Sequence, residues 1–118
     1  MAAMSNSTSS IFRLHALLSG LVAQDDLDLA ANAVRQSLGM AANQDVPDES
    51  LADKLVETGV MTPYQAGQFR AGKNKLNLGP YVVTDYIGQG GMGQVFKAVH
   101  KVMGRECAVK VLPLHKFS

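Results

Sequence analysis

Apolar residues in the first 72 positions recur every three or four residues, whereas beyond residue 80 they alternate, so the chain passes from helical to extended periodicity. Ile11, Leu14, Leu18 and Leu21 form one stripe that predicts a helix from residue 11 to about residue 23, with Ser10 as its N-cap and Gly20 weakening its last turn. Leu27, Ala30, Val34 and Leu38 predict a second helix, capped by Asp25 or Asp26 and stopped by Gly39, which would pair antiparallel with the first. Pro47, Asp48 and Glu49 suit the first turn of a third helix, with Leu51, Leu55 and Val56 on its apolar face and Gly59 at its end. Thr62-Pro63 repeats the pairing of cap and proline. A short fourth helix over 63–71 should bury Tyr64 or Ala66 with Phe69, and Gly72 should end it.

The pattern divides the chain into a small polar tail at 1–10, read as flexible, a helical region at 11–72, a linker at 73–80 and a strand region at 81–118. The linker carries two lysines, two asparagines and a Gly79-Pro80 turn signal. Strands are expected at 81–87, 94–100 and 106–112, with Val102-Met103-Gly104-Arg105 as the second turn. The expected fold class is therefore α+β, a helical region followed by a three-stranded antiparallel meander.

Composition adds boundaries. The 47% hydrophobic and 18% charged content is that of an ordinary globular chain, and a net charge of +1 offers no global attraction for nucleic acid or an anionic membrane. Arg70, Lys73 and Lys75 cluster, but no aromatic platform interleaves with them, so a solvated surface explains them and no nucleic-acid partner is expected. The apolar stretch 11–23 is too short, and too interrupted by Arg13 and His15, to span a membrane. Cys107 is the only cysteine, which excludes an internal disulfide and fits a cytoplasmic location. Neither it nor His15, His100 and His115 shows metal-ligand spacing, and no metal site is expected within the chain.

Chemistry concentrates in Ile87-Gly88-Gln89-Gly90-Gly91-Met92-Gly93-Gln94-Val95 and in Ala108-Val109-Lys110. Residues without a Cβ let a backbone close over a nucleotide and turn its N–H groups toward phosphate oxygens. A dinucleotide-binding unit would need these glycines to open a helix, yet Gln94 to Val99 alternates like a strand, and a Walker-type loop would end in Gly-Lys-Ser/Thr where this one ends Gly93-Gln94. Alternation places Ala108 and Lys110 on one face. Lys110 lies in an otherwise apolar run, so its ammonium is expected to be partly desolvated and in want of an anion.

Gly88, Gly90, Gly93 and Val95 match G-x-G-x-x-G-x-V, and Cys107-Ala108-Val109-Lys110 is similar to the lysine strand that follows it, so the chain resembles the bacterial members of the eukaryotic-like serine/threonine protein kinases. Thr62-Pro63-Tyr64-Gln65-Ala66 also resembles the short helical region that some of them carry ahead of the catalytic domain. The kinase-like motifs run from Leu78 to about Pro113, roughly a third of the chain. The resemblance implies a partial kinase N-lobe in which Ile87, Val95 and Ala108 enclose adenine, the backbone of Gly88, Gln89, Gly90, Gly91, Met92 and Gly93 covers the phosphates of ATP, and Lys110 pairs with the α- and β-phosphates. In that family Mg2+ is held by an Asp-Phe-Gly sequence and the base comes from a His-Arg-Asp loop, neither of which stands in these 118 residues. The resemblance thus implies the ATP-binding start of a transferase acting on protein Ser/Thr, with no catalytic residue of its own. Its protein substrate is not readable from the chain. The rival expectation is a non-catalytic helical module that binds a protein partner and carries a vestigial nucleotide-binding hairpin.

Overall fold

A computed structural model of the chain describes residues 10–113 and contains four helices, α1 (Ile11–Leu18), α2 (Gln24–Leu38), α3 (Asp48–Glu57) and α4 (Pro63–Arg70), then four strands, β1 (Asn77–Leu78), β2 (Tyr81–Gly90), β3 (Gly93–His100) and β4 (Glu106–Val111). Residues 1–9, expected to form most of a flexible tail, lie outside the described residues. The fold class is α+β. The described residues divide into two compact units, 10–75 and 76–113.

In the helical unit the caps of α1 and α4 follow the sequence, whereas the N-cap of α2 is Ala23 in place of the expected Asp25 or Asp26. Ser10 Oγ accepts from the Arg13 N–H at 3.1 Å, and Thr62 Oγ1 accepts from the Gln65 N–H at 3.1 Å while Gln65 Oε1 accepts from the Thr62 N–H at 2.9 Å, closing a reciprocal capping box. Asp26 acts from inside the first turn of α2, where its carboxylate accepts from the Ala23 N–H at 2.9 Å. Gly39 ends α2 at φ +67°, a left-handed conformation that a Cβ would strain. Ser10 does more than cap α1. Its hydroxyl also donates to the Asp48 carboxylate at 2.9 Å, while the Arg13 guanidinium donates to the Val46 carbonyl at 2.7 Å, fastening the start of α1 to the start of α3.

The predicted stripe of α1 points the wrong way. Phe12 and Ala16 are the buried positions, whereas Ile11 is 54%, Leu14 48% and Leu18 60% exposed, and the helix stops at Leu18 instead of continuing to 23. Phe12 is the larger apolar body, and the inward face is set by its packing on Phe69, with ring centroids 6.3 Å apart and planes inclined at 59°. That contact also corrects the expected pairing. α1 packs on α4 and α2 on α3, in place of α1 on α2. Phe12, Phe69, Leu51 and Leu55 are the largest fully buried side chains, joined by Leu27, Ala30 and Val34 from α2, while Leu38 is exposed.

The strand unit is a four-stranded antiparallel sheet in the order β1-β2-β3-β4, one strand more than expected. The additional strand lies within 73–80, where Asn77 pairs with Val82 and Leu78 with Tyr81, and Leu76 is buried. Part of the presumed linker is therefore sheet. Gly79-Pro80 is the turn that the sequence signals and also the tip of a hairpin, which two-residue β1 is too short to announce by alternation. Leu76, Val83 and Ala98 are the buried apolar residues of this unit.

Phe12→Ala should cost about 3–5 kcal/mol in urea unfolding of the helical unit, while Leu18→Ala should stay within about 0.5 kcal/mol. Equal losses would contradict the inward assignment of Phe12.

Candidate functional site

The glycine segment is a tight hairpin. β2 continues through the motif to Gly90, which pairs with Gly93 at the start of β3, so Gly91 and Met92 alone form the turn. Gly91 has φ +60° whereas Met92 does not have a positive φ, the sign pattern of a type II′ turn with glycine at its first central position. The expected loop of six residues thus narrows to two. Register shifts between Val83 and Asp85 and between Tyr86 and Gly88 place Thr84 and Ile87 in bulges, which interrupt the alternation on which a face assignment of Ile87 would rest.

Pairing fixes the lysine. β3 meets β4 in unbroken antiparallel register, with Val95 opposite Lys110 and Lys97 opposite Ala108. Since Gly88 faces Val95 on the other side, Gly88, Val95 and Lys110 form one cross-strand row, and directly opposed residues share a face of the sheet. The side chains then reach the turn. A Cβ added at Gly90 would lie 3.3 Å from Val95 Cγ2, and one added at Gly91 would lie 2.9 Å from Lys110 Nζ. The ammonium is therefore seated against the turn backbone, in space that only glycine leaves open.

Gly93 serves a different purpose. It is buried, and a Cβ there would collide with the Val111 carbonyl oxygen and come within 2.7 Å of Leu112 Cδ2. The missing side chain lets the end of β4 cross close to the hairpin, which in turn sets where Lys110 emerges. Sequence reasoning gave this glycine only a place above phosphate. Its position as the last glycine before a strand was the available signal.

Two findings alter the expected electrostatics. Lys110 and Ala108 are exposed, so burial does not force an anion onto the ammonium. Instead its charge is left uncompensated, because the ion pairs among the described residues are Arg13–Asp48, Lys54–Glu57 and Lys97–Glu106, the last at 3.3 Å between neighbouring strands. β4 alternates between partly buried Cys107 and Val109 and exposed Ala108 and Lys110, as strand geometry requires. The partly buried Cys107 opposes Ala98, a packing position.

Of the remaining expected site residues, Ile87 is 59% and Met92 58% exposed, Gln89 is exposed, and Gly88 and Val95 are partly buried. A hollow of about 510 Å3 beside the turn is lined by Gln89, Gly91, Met92, Gly93, Gln94, Val111 and Pro113. The expected contacts Val95, Ala108 and Lys110 do not line it. Among these residues no three His, Cys, Asp or Glu side chains group as a metal site, and no helix is long and apolar enough to cross a membrane. Set against protein-family profiles, characterised proteins and solved structures, the chain returns no match.

Gly93→Ala should lower the stability of the strand unit by about 1–3 kcal/mol, through overpacking against Val111 and Leu112. Hydrogen exchange of the β3 and β4 amides measures it, and unchanged protection would contradict the close crossing.

Proposed function

We propose that residues 76–118 are the start of the ATP-binding lobe of a serine/threonine protein kinase, with the Gly88–Gly93 hairpin and Lys110 as its phosphate site. The observation that carries this reading is the ammonium of Lys110 beside the backbone of Gly91, with no carboxylate to compensate it among the described residues. An exposed cation next to the bare backbone of Gly91 offers a polyphosphate a point charge and close approach to backbone N–H groups. Val95 and Ala108, on the same face as Lys110, offer apolar surface for a base. The motif order, G-x-G-x-x-G-x-V followed by an Ala-Val-Lys strand, supports a protein kinase over other nucleotide-binding classes.

In this reading ATP supplies the transferred γ-phosphoryl group. The part of these residues is to bind and orient. Lys110 holds the α- and β-phosphates, the hairpin backbone covers them, and Ile87, Val95 and Ala108 meet adenine. The chain contains neither a His-Arg-Asp nor an Asp-Phe-Gly sequence, so these residues by themselves are not expected to transfer phosphate to protein. A helical interaction module with a vestigial hairpin is the second reading. The outward Ile11, Leu14 and Leu18 of α1 favour it, since an apolar stripe left in water suits a protein partner.

Calorimetric titration of the 118-residue chain with Mg-ATP should show saturable binding in the millimolar range, abolished by Lys110→Ala with no change in thermal unfolding. Absence of binding, or equal binding by the variant, would remove the nucleotide site and leave the second reading.

A further inference from the structure

The turn that joins β3 to β4 presents Val102 and Met103 at its tip. Val102, at 88%, is the most exposed large apolar side chain among the described residues, and Met103 is 64% exposed. Lys101 and Arg105 stand exposed on either side of the pair, and no carboxylate among the described residues pairs with them, since the adjacent Glu106 is held by Lys97 at 3.3 Å. The backbone of the turn is closed on itself. The Lys101 N–H donates to the Pro80 carbonyl at 2.8 Å, the Val102 and Met103 N–H groups donate to His100 Nδ1 at 3.2 and 3.1 Å, and the Gly104 N–H donates to the His100 carbonyl at 2.8 Å. In water an exposed tip needs no such partners, because solvent satisfies its amides. Internal partners matter where water is scarce, since a bare N–H carried into an apolar phase is costly.

We propose that this turn adsorbs to an anionic phospholipid surface, with Val102 and Met103 entering the boundary between headgroups and acyl chains and Lys101 and Arg105 meeting lipid phosphates at the rim. Long cationic side chains suit that place, because their stems lie along apolar surface while their charges stay among the headgroups. With a net charge of only +1 the attraction is local, and a single turn gives weak, reversible adsorption. A protein surface is the competing occupant. Two apolar side chains are a small fraction of a specific protein interface, whereas an anionic bilayer rewards an apolar tip between two cations whose amides are already paired. The inference stands apart from the nucleotide reading. Lys110 opposes Val95, and from Val95 to His100 β3 runs on the order of 17 Å, so the turn lies at the far end of the strand from the glycine hairpin.

Flotation of the full 118-residue chain with vesicles of equimolar phosphatidylcholine and phosphatidylglycerol should show saturable binding that falls as salt is raised. Pure phosphatidylcholine vesicles should bind roughly 25-fold less well, about fivefold for each cation. Lys101→Gln with Arg105→Gln should erase that preference. Val102→Ser with Met103→Ser should weaken binding to the mixed vesicles by about tenfold or more with unchanged thermal unfolding. A polarity-sensitive fluorophore on Val102→Cys, in a Cys107→Ala background, should shift to the blue on the mixed vesicles and not with free glycerol phosphate, the headgroup without its apolar phase. The same fluorophore on Leu18→Cys, in the exposed stripe of α1, should not shift. Absence of binding to the mixed vesicles, which would leave the apolar pair to a protein surface, full binding by the serine variant, or a blue shift at Leu18 alone would overturn the proposal. These outcomes require no nucleotide, so they are separable from failure of the ATP titration.

Discussion

The strand unit depends on the register between β3 and β4. Opposition of Val95 and Lys110 decides which side chain of β4 lies in the row of the glycine hairpin, and a slip of one residue would present Val109 or Val111 there instead. Gly93 helps to hold that register by admitting the Val111 backbone where any side chain would block it. The turn glycine, Gly91, then leaves space for the ammonium that the register delivers. Three features that look separate in the chain, the last glycine, the first turn glycine and the lysine seventeen positions beyond Gly93, act as one geometric unit.

The helical unit rests on a different constraint. Phe12 and Phe69 are far apart in sequence, and their contact decides which face of α1 turns inward and which helix it meets. The Ser10, Arg13, Asp48 and Val46 contacts fix the same helix at its start. A short helix of eight residues has little stability of its own, so these tertiary contacts must supply it. The result leaves Ile11, Leu14 and Leu18 facing water, the feature that keeps an interaction role for this unit in view.

Much of this was legible in the chain. The caps at Ser10 and Thr62, the stops at Gly39 and Gly59, and the change to alternating strands near residue 81 are local signals, and the structure follows them. The inward face of α1 was not legible, because Ile11, Leu14 and Leu18 fit helical spacing as well as Phe12 and Ala16 do, and only a distant partner distinguishes the two sets. β1 was missed because its two residues sit inside a turn signal. For the site, alternation put Ala108 and Lys110 on one face, but it could not foresee the bulge at Ile87 or the exposure of that face. Apolar neighbours in a strand show only what flanks a residue along the chain; cover over the face depends on what packs above it.

In the proposed site the exposed ammonium of Lys110 and the bare backbone of Gly91 would hold an anion through proximity and uncompensated charge, with no help from a low dielectric. That is the central physical claim, and amide chemical-shift mapping with a non-hydrolysable Mg-ATP analogue tests it most directly. The account predicts shifts centred on Gly88–Gly93 and Lys110 that fall away as salt is raised. Shifts confined to the helical unit, or a turn that does not respond at saturating ligand, would contradict it.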